Sequence, residues 1–501
     1  MRGLRHDLGR AMTVPRSVLL VIVVAIVLRL PFLTVPPSPD EAGLLLIGGQ
    51  WHDGTSLYGD YWVDRSPLLI SLYEFAAKAG GVLALRLLGL AAVALTVVLC
   101  GAAARRLGGD RAARWAAATA GLLTVSPWLG ADRVNAELLA APWLALGVYA
   151  AVRAVETPRH LRWSVLAGVA AVAAIATKQN HADAGVFLLA LVGASLVTRS
   201  LSVRSALRIV GVALAGALAT VLGVLLWGWL RGTVPTDLFD ALFTFRLRAA
   251  ELMDAAPTQS GRERRTRLLL RAVFSGQVLL LVTVVLAPWW RRGRSPAAIA
   301  LALMAAYACF SIAASGSWWN HYLVQLAVPL AIGSGLVAAR TRLLVPVAVL
   351  YTTVAAIVGV VVLRPHLTAV DWHVAAGRMV ADVAEAQDTI VNAWGRPDVV
   401  LASGLSSPYE HLWSLPVRTD DSDLERFREL LAGDDAPTWL VTRGSLWAPG
   451  IAHEAADEMV WQRYRRVAWV CDREILLRRD VSRSHPTIPR DLACTVPVDP
   501  R

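Results

Sequence analysis

Apolar segments close to the length of a membrane span recur along this chain and constrain its fold more than any other feature. A helix needs about 20 mainly apolar residues to cross the hydrocarbon layer. With 56% hydrophobic and only 17% charged residues, the sequence predicts a polytopic α-helical membrane protein with about eleven transmembrane helices, rather than a water-soluble protein. The predicted spans are 17–35, 82–104, 115–129, 138–152, 163–177, 184–198, 209–230, 272–290, 297–314, 323–339 and 343–363.

Arginine-rich turns predict the orientation of these spans. Turns such as 105–114 and 199–208 are rich in arginine, and they alternate with turns such as 126–137 and 315–322, which hold at most one basic residue. Because basic turns stay cytoplasmic, we expect a cytoplasmic N-terminus, an inner or plasma membrane location and an extracytoplasmic C-terminal part. The net charge of +11 then reflects topology, and no nucleic-acid partner is expected. The arginine-rich outer loop 231–270 departs from the rule.

The polar tail has a different character from the rest of the chain. Strand-like runs at 388–394, 438–442 and 473–477 flank a helical pattern at 422–431, which predicts a small extracytoplasmic α/β domain over 364–501. Residues 1–363 would form the transmembrane domain. Cys471 and Cys494 lie in the tail, where an oxidising compartment would allow a disulfide, but the sequence leaves their pairing open.

The first outer loop, 36–80, concentrates acidic and aromatic side chains. Asp40 and Glu41 follow the first span directly, and Asp64 and Arg65 lie towards the other end of the loop. Charged groups at a membrane boundary are costly and usually serve a function. Four aromatic residues between these two pairs are expected to shape a substrate cleft: Trp51, Tyr58, Tyr61 and Trp62.

The two acidic residues at the start of this loop have different structural explanations. Ser38-Pro39-Asp40-Glu41 matches a helix capping box, with serine at the N-cap, proline at the first helical position and glutamate three residues on. Capping accounts for Glu41 but not as well for Asp40. Both are candidate catalytic residues, and we expect Asp40 to be the general base that takes a proton from an attacking hydroxyl.

Further polar residues lie at the outer ends of other predicted spans, so one cleft is expected. Arg65, Lys178 and His321 are candidate ligands of a donor phosphate, because a departing phosphate needs cations or N–H donors around it. Each has a plainer interpretation: an ion pair with Asp64, a lysine that reaches the membrane surface, and a histidine in an interfacial aromatic belt. The other candidates for lining the cleft are Asp64, Asp132, Glu137 and Gln179.

The sequence contains neither a metal-ligating motif nor a nucleotide-binding signature. A donor activated by lipid phosphate is therefore favoured over one activated by a nucleotide. No cofactor is predicted, and a divalent metal stays an open alternative.

Several of these motifs, in this order and on one side of the membrane, resemble those of GT-C fold glycosyltransferases of the protein O-mannosyltransferase/ArnT-like superfamily (family 39-like). Asp40-Glu41 resembles the acidic motif of the first outer loop. Asp64-Arg65-Ser66-Pro67 is similar to an acid–cation–proline motif, with arginine where lysine is common and one inserted serine. Thr177-Lys178 and His321-Tyr322 resemble two further motifs. Gly43-Leu44-Leu45 departs from the pattern, because a basic residue often stands there.

The resemblance implies a membrane enzyme of a bacterial cell envelope. It would transfer a sugar, with inversion, from a polyprenyl-phosphate donor to an envelope acceptor (a glycan, lipid or protein) at the outer face of the bilayer. Two other interpretations remain: a transporter or flippase of polyprenyl-linked sugars, and a non-catalytic envelope protein that binds a lipid-linked sugar. A transporter would more often show internal repeats and ionisable groups at mid-membrane. The sequence predicts neither the sugar nor the acceptor.

Overall fold

The computed structural model describes residues 15–52, 54–58, 61–255, 259–286, 295–368, 371–488, 492 and 494. The helices of its membrane part are α1 Arg16–Arg29, α2 Pro39–Gln50, α3 Pro67–Ala79, α4 Val82–Val125, α5 Ala136–Glu156, α6 Leu161–Thr177, α7 Asp183–Val197, α8 Val203–Leu230, α9 Pro235–Phe239, α10 Phe245–Ala255, α11 Gln259–Phe274, α12 Gln277–Leu286, α13 Pro296–Ala314, α14 Ala327–Arg340 and α15 Leu344–Thr368. Short 3-10 helices cover Leu30–Thr34, Pro127–Leu129 and Asn320–Leu326, and a π-helical turn covers Asp240–Thr244.

Long apolar helices dominate this part of the protein. Among the described residues, seven helices are long and apolar enough to cross a bilayer, or eight if the bent pair Gly261–Phe274 and Gln277–Leu286 is one span. Each apolar segment predicted from the sequence overlaps a helix, so the polytopic α-helical architecture is confirmed. The number of eleven spans stays a prediction, because α6 and α7 are shorter apolar helices and α4 covers two predicted segments.

Helix α4 is a hairpin rather than one straight rod. The backbone is not helical at Gly109 (φ 76°, ψ −168°), where the left-handed φ suits glycine. Beyond this point the chain turns back, since a Cβ built on Gly121 would lie 3.9 Å from a Val97 side-chain carbon on the first arm. The arginine-rich turn predicted at 105–114 therefore forms the tip of the hairpin.

Small residues let the membrane helices approach closely. A Cβ on Gly168 of α6 would collide with the carbonyl oxygen of Ala213 on α8, and a Cβ on Gly216 would collide with Val165 in the same interface. Lipid chains are as apolar as leucine, so helices in a bilayer associate through close packing of this kind. The alanine and glycine content of the spans thus serves packing.

The C-terminal part is a small α/β domain, as predicted. Its four-stranded sheet has the order β1-β2-β4-β3; β1 pairs in parallel with β2, and the other pairs are antiparallel. Cys471 and Cys494 form a disulfide, which answers the question that the sequence left open. The elements are α16 Trp372–Ala381, β1 Ile390–Asn392, α17 Pro397–Ser403, α18 Ser414–Asp420, α19 Glu425–Ala432, β2 Trp439–Thr442, α20 Glu454–Arg463, β3 Tyr464–Val470 and β4 Arg473–Arg478.

This domain packs on the first outer loop, which itself consists largely of α2 and α3. Helix α17 lies against α2, and Gly43 of α2 leaves room for the Trp413 ring. The Ser407 backbone N–H donates to the Tyr61 hydroxyl at 2.7 Å. The tail is thereby held beside Asp40 and the residues that surround it.

Candidate active site

Glu41 is a buried structural anchor at the start of α2. The capping box is present, since Ser38 caps the Glu41 N–H and the Glu41 carboxylate accepts from the Ser38 N–H at 2.9 Å. The same carboxylate accepts from the Val134 N–H at 2.6 Å and pairs with Arg86 at 3.0 Å. A buried charge needs this kind of pairing. Glu41 thus ties three segments together.

Asp40, the neighbouring carboxylate, is exposed. In the described part of the chain its one hydrogen bond comes from the Trp413 indole N–H, at 3.2 Å. Its charge also acts on Arg65: burial opposes the charged form of Arg65, but Asp64 and Asp40 outweigh burial and raise the pKa of the guanidinium. Asp40 and Arg65 are thus electrostatically linked.

Asp64 holds two arginines together. It pairs with Arg65 and with Arg246 of α10, the latter at 2.5 Å. Burial disfavours the carboxylate, but Arg246 and Arg65 outweigh it and hold the pKa of Asp64 below its usual range. The Gln179 side-chain amide donates to the Asp64 backbone carbonyl at 2.7 Å, and the Tyr58 hydroxyl donates to that of Arg65. Gln179 and Tyr58, both predicted to line the cleft, therefore hold the backbone of the Asp64–Arg65 pair in place.

A second charged cluster lies around Glu137 at the start of α5. Lys178 pairs with Glu137 at 2.9 Å, and the Nε2 atom of His321 lies 3.9 Å from the other carboxylate oxygen. Only 8% of the Lys178 side chain is exposed, so it turns towards the protein rather than the membrane surface. Because Lys178 also helps to lower the pKa of Asp64, the two clusters are neighbours.

Asp132 lies next to the buried Glu41–Arg86 pair. Its carboxylate pairs with Arg133 at 2.8 Å, and its backbone carbonyl accepts from Arg86. Burial opposes ionisation, but Arg133 and Arg86 outweigh it, and the pKa of Asp132 is lowered. Asp132 therefore belongs with the buried pair of Glu41 and Arg86.

The predicted aromatic residues separate into different roles. Trp62 packs on Phe245 at 4.3 Å between ring centres, beside Asp64. Tyr61 contacts the tail domain. Trp51 lies elsewhere, because α2 carries it about 16 Å along the helix axis from Asp40, under the Arg231 guanidinium at 4.1 Å. The assignment of Trp51 to a substrate cleft stays a prediction.

Two site residues were missed in the sequence. Arg246 comes from the loop 231–270, and its signal was the excess of arginines in a loop that the sequence predicts to be extracytoplasmic. Trp413 comes from the tail, and no local pattern links it to Asp40. As for metals, the described residues include no group of three or more His, Cys, Asp or Glu side chains that could hold an ion.

The fold defined by these helices is the GT-C fold, and the comparisons with solved structures identify it. ArnT from Cupriavidus metallidurans bound to undecaprenyl phosphate superimposes with a TM-score of 0.62 at 16% identity, covering 92% of this chain and 97% of that one. Its apo state gives 0.61. An oligosaccharyltransferase from Archaeoglobus fulgidus gives 0.50 at 14% identity, covering 90% of this chain and 72% of that one. No protein-family model and no curated protein matches the chain.

Proposed function

We propose that this protein is an inverting glycosyltransferase that uses a polyprenyl-phosphate sugar donor at the outer face of the membrane. One observation carries the proposal: the exposed carboxylate of Asp40 lies at the same end of the membrane domain as the linked cations Arg65, Arg246 and Lys178. A base and a set of cations, close to each other at a membrane boundary, suit the transfer of a sugar away from a lipid phosphate.

In this mechanism Asp40 takes the proton of an acceptor hydroxyl. The hydroxyl oxygen attacks the anomeric carbon, the bond from that carbon to the phosphate oxygen breaks, and polyprenyl phosphate leaves with the electron pair. A single displacement inverts the anomeric centre. The exposure of Asp40 supports its role, because an acceptor can reach it and its proton can pass to water. Glu41 is engaged in buried structural contacts and serves as a positioning residue for the start of α2, which carries Asp40.

The charges around the phosphate position match the leaving group. Arg65, Arg246 and Lys178 face the carboxylates of Asp64 and Glu137, so this set carries one net positive charge. A donor phosphodiester carries one negative charge, and its charge rises to about −1.5 to −2 when it departs as a monoester. The cations therefore stabilise the departing group more than the bound donor, as catalysis requires.

The fold neighbour with bound undecaprenyl phosphate supports a lipid phosphate as the carrier. The acceptor, an envelope glycan, lipid or protein, would approach from the side of the tail domain, because Trp413 of that domain touches Asp40. The tail domain is thus placed to influence which acceptor reaches the base.

The proposal is tested with protein in nanodiscs, a panel of polyprenyl-phosphate sugars labelled in the sugar, and an envelope extract as acceptor. We expect label to enter the acceptor and free polyprenyl phosphate to appear in equal amount. The Asp40→Asn variant should lose both signals, whereas Asp434→Asn, which alters an exposed carboxylate of the tail, should retain them. A flippase would move the donor without releasing polyprenyl phosphate, and a binding protein would leave it intact.

A further inference from the structure

Helix α11 changes character along its outward face. In its first half the exposed residues are polar, with Arg262 and Arg265 one turn apart. In its second half the exposed residues are Leu269, Leu270, Val273 and Phe274, each 49 to 55% exposed. At about 100° per residue, Leu269 and Val273 continue the side of the helix that carries Arg262 and Arg265. Exposed arginines next to exposed apolar side chains on one helix are expected at the membrane interface, where the arginines reach the headgroups and the apolar side chains reach the edge of the hydrocarbon.

The direction of α11 agrees with this position. It is bent by 70° from α12, a ten-residue helix of apolar residues except for Gln277 and Thr283. If α12 runs into the bilayer, α11 runs close to the membrane plane. The exposed leucines then lie at the hydrocarbon boundary, and Arg262 and Arg265 lie at the level of the phosphates.

The two outward arginines are available to a ligand. In the portion of the chain that the structure describes, neither has an acidic partner, because the neighbouring Glu263 pairs with Arg267. Arg265 lies over the Trp318 ring at 5.2 Å, and the residue is exposed. A guanidinium offers a planar fork of donors that matches two phosphate oxygens.

The other side of α11 fixes the helix beside the candidate site. The Arg264 side chain donates to the Ser317 carbonyl at 3.1 Å and lies over the Trp319 ring at 4.9 Å. Trp319 stacks on His321, with ring planes 7° apart. These contacts fix the helix that carries Arg262 and Arg265, and they place it at the same end of the membrane domain as the charged clusters.

We propose that Arg262 and Arg265 on α11 form a binding surface for the phosphodiester headgroups of anionic phospholipids. The positive-inside rule gives no reason for arginines at this end of the spans, whereas charge complementarity with anionic headgroups does. This surface does not depend on the proposed enzymatic activity, and its test measures lipid binding alone.

The test titrates the purified full-length protein in neutral detergent with phosphatidylglycerol or phosphatidylcholine and counts bound lipids by native mass spectrometry. Wild-type protein should retain phosphatidylglycerol in preference to phosphatidylcholine. The double variant Arg262→Gln/Arg265→Gln should bind phosphatidylglycerol roughly thirtyfold more weakly, without a change in thermal unfolding, since both side chains are exposed. Added salt should weaken binding to the wild type more than binding to the variant.

A matched control removes the same charge elsewhere. Arg465 and Arg479 are exposed arginines of the tail domain, and Arg465→Gln/Arg479→Gln should keep the wild-type lipid preference. Equal binding of the two lipids by the wild type would overturn the proposal. So would an unchanged phosphatidylglycerol affinity in the α11 variant, or an equal loss in the tail variant, which would indicate an effect of net charge alone.

Discussion

Replacing Glu41 by glutamine should destabilise the protein, although the same kind of change at the adjacent Asp40 should not. The Glu41 side chain is 1% exposed and its partner Arg86 is 2% exposed. Glutamine presents an amide group where the carboxylate oxygens accept from Ser38, Val134 and Arg86. At least one buried donor then loses its acceptor, and the Arg86 charge loses its counter-ion.

The expected size of the effect follows from the pair. Removing one member of a buried ion pair costs about 3–5 kcal/mol. Arg86 retains its hydrogen bond to the Asp132 carbonyl, so we expect a loss near the lower end, about 3 kcal/mol. Asp40→Asn should stay within about 0.5 kcal/mol of the wild type, because Asp40 is exposed and asparagine can still accept from Trp413.

Thermal and denaturant unfolding of both variants in the same nanodiscs measures the difference. Glu41→Gln should unfold well before the wild type, and Asp40→Asn should unfold with it. A Glu41→Gln protein of wild-type stability that has lost transfer would refute the structural role of Glu41 and make it a catalytic residue instead.

The remaining predictions concern Arg246 and the disulfide. Arg246→Gln removes a charge-assisted contact of about 1.5–3 kcal/mol, so the rate of sugar transfer should fall roughly tenfold to a hundredfold. The control Arg248→Gln alters a more exposed arginine that pairs with Asp420 of the tail, and its transfer rate should stay within a few fold of the wild type. Equal losses in the two variants would contradict the assignment of Arg246. Replacing both Cys471 and Cys494 by serine opens a loop with a sequence separation of 23 residues, which should destabilise the tail domain by about 3 kcal/mol; an unchanged unfolding midpoint, measured without reductant, would contradict this.

Local sequence patterns predicted much of the architecture. The apolar segments indicated the helices, the change in composition indicated the α/β tail, and Ser38-Pro39-Asp40-Glu41 predicted the capping box that the structure contains. These features depend on neighbouring residues in the chain. The number of spans does not follow from apolar length alone, because α6 and α7 are short and the chain bends by 70° between α11 and α12.

The composition of the site depends on contacts between distant segments. The pairing of Asp64 with Arg246, and of Asp40 with Trp413, joins residues far apart in the sequence, and no periodicity reports such contacts. Trp51 shows the same dependence from the other direction: it is near Asp40 in sequence, but it lies at the other end of α2. Sequence patterns indicated candidate residues for the site, and tertiary packing decides which of their side chains meet.

The release of polyprenyl phosphate by wild type and Asp40→Asn, measured side by side in nanodiscs with a labelled donor and an envelope acceptor, tests the central claim most directly. The wild type should release polyprenyl phosphate in step with sugar transfer. Asp40→Asn should release almost none while it binds the donor and unfolds like the wild type. Near-normal release by Asp40→Asn would contradict the role of Asp40 as the base, and no release by the wild type with any donor of the panel would contradict the proposed activity.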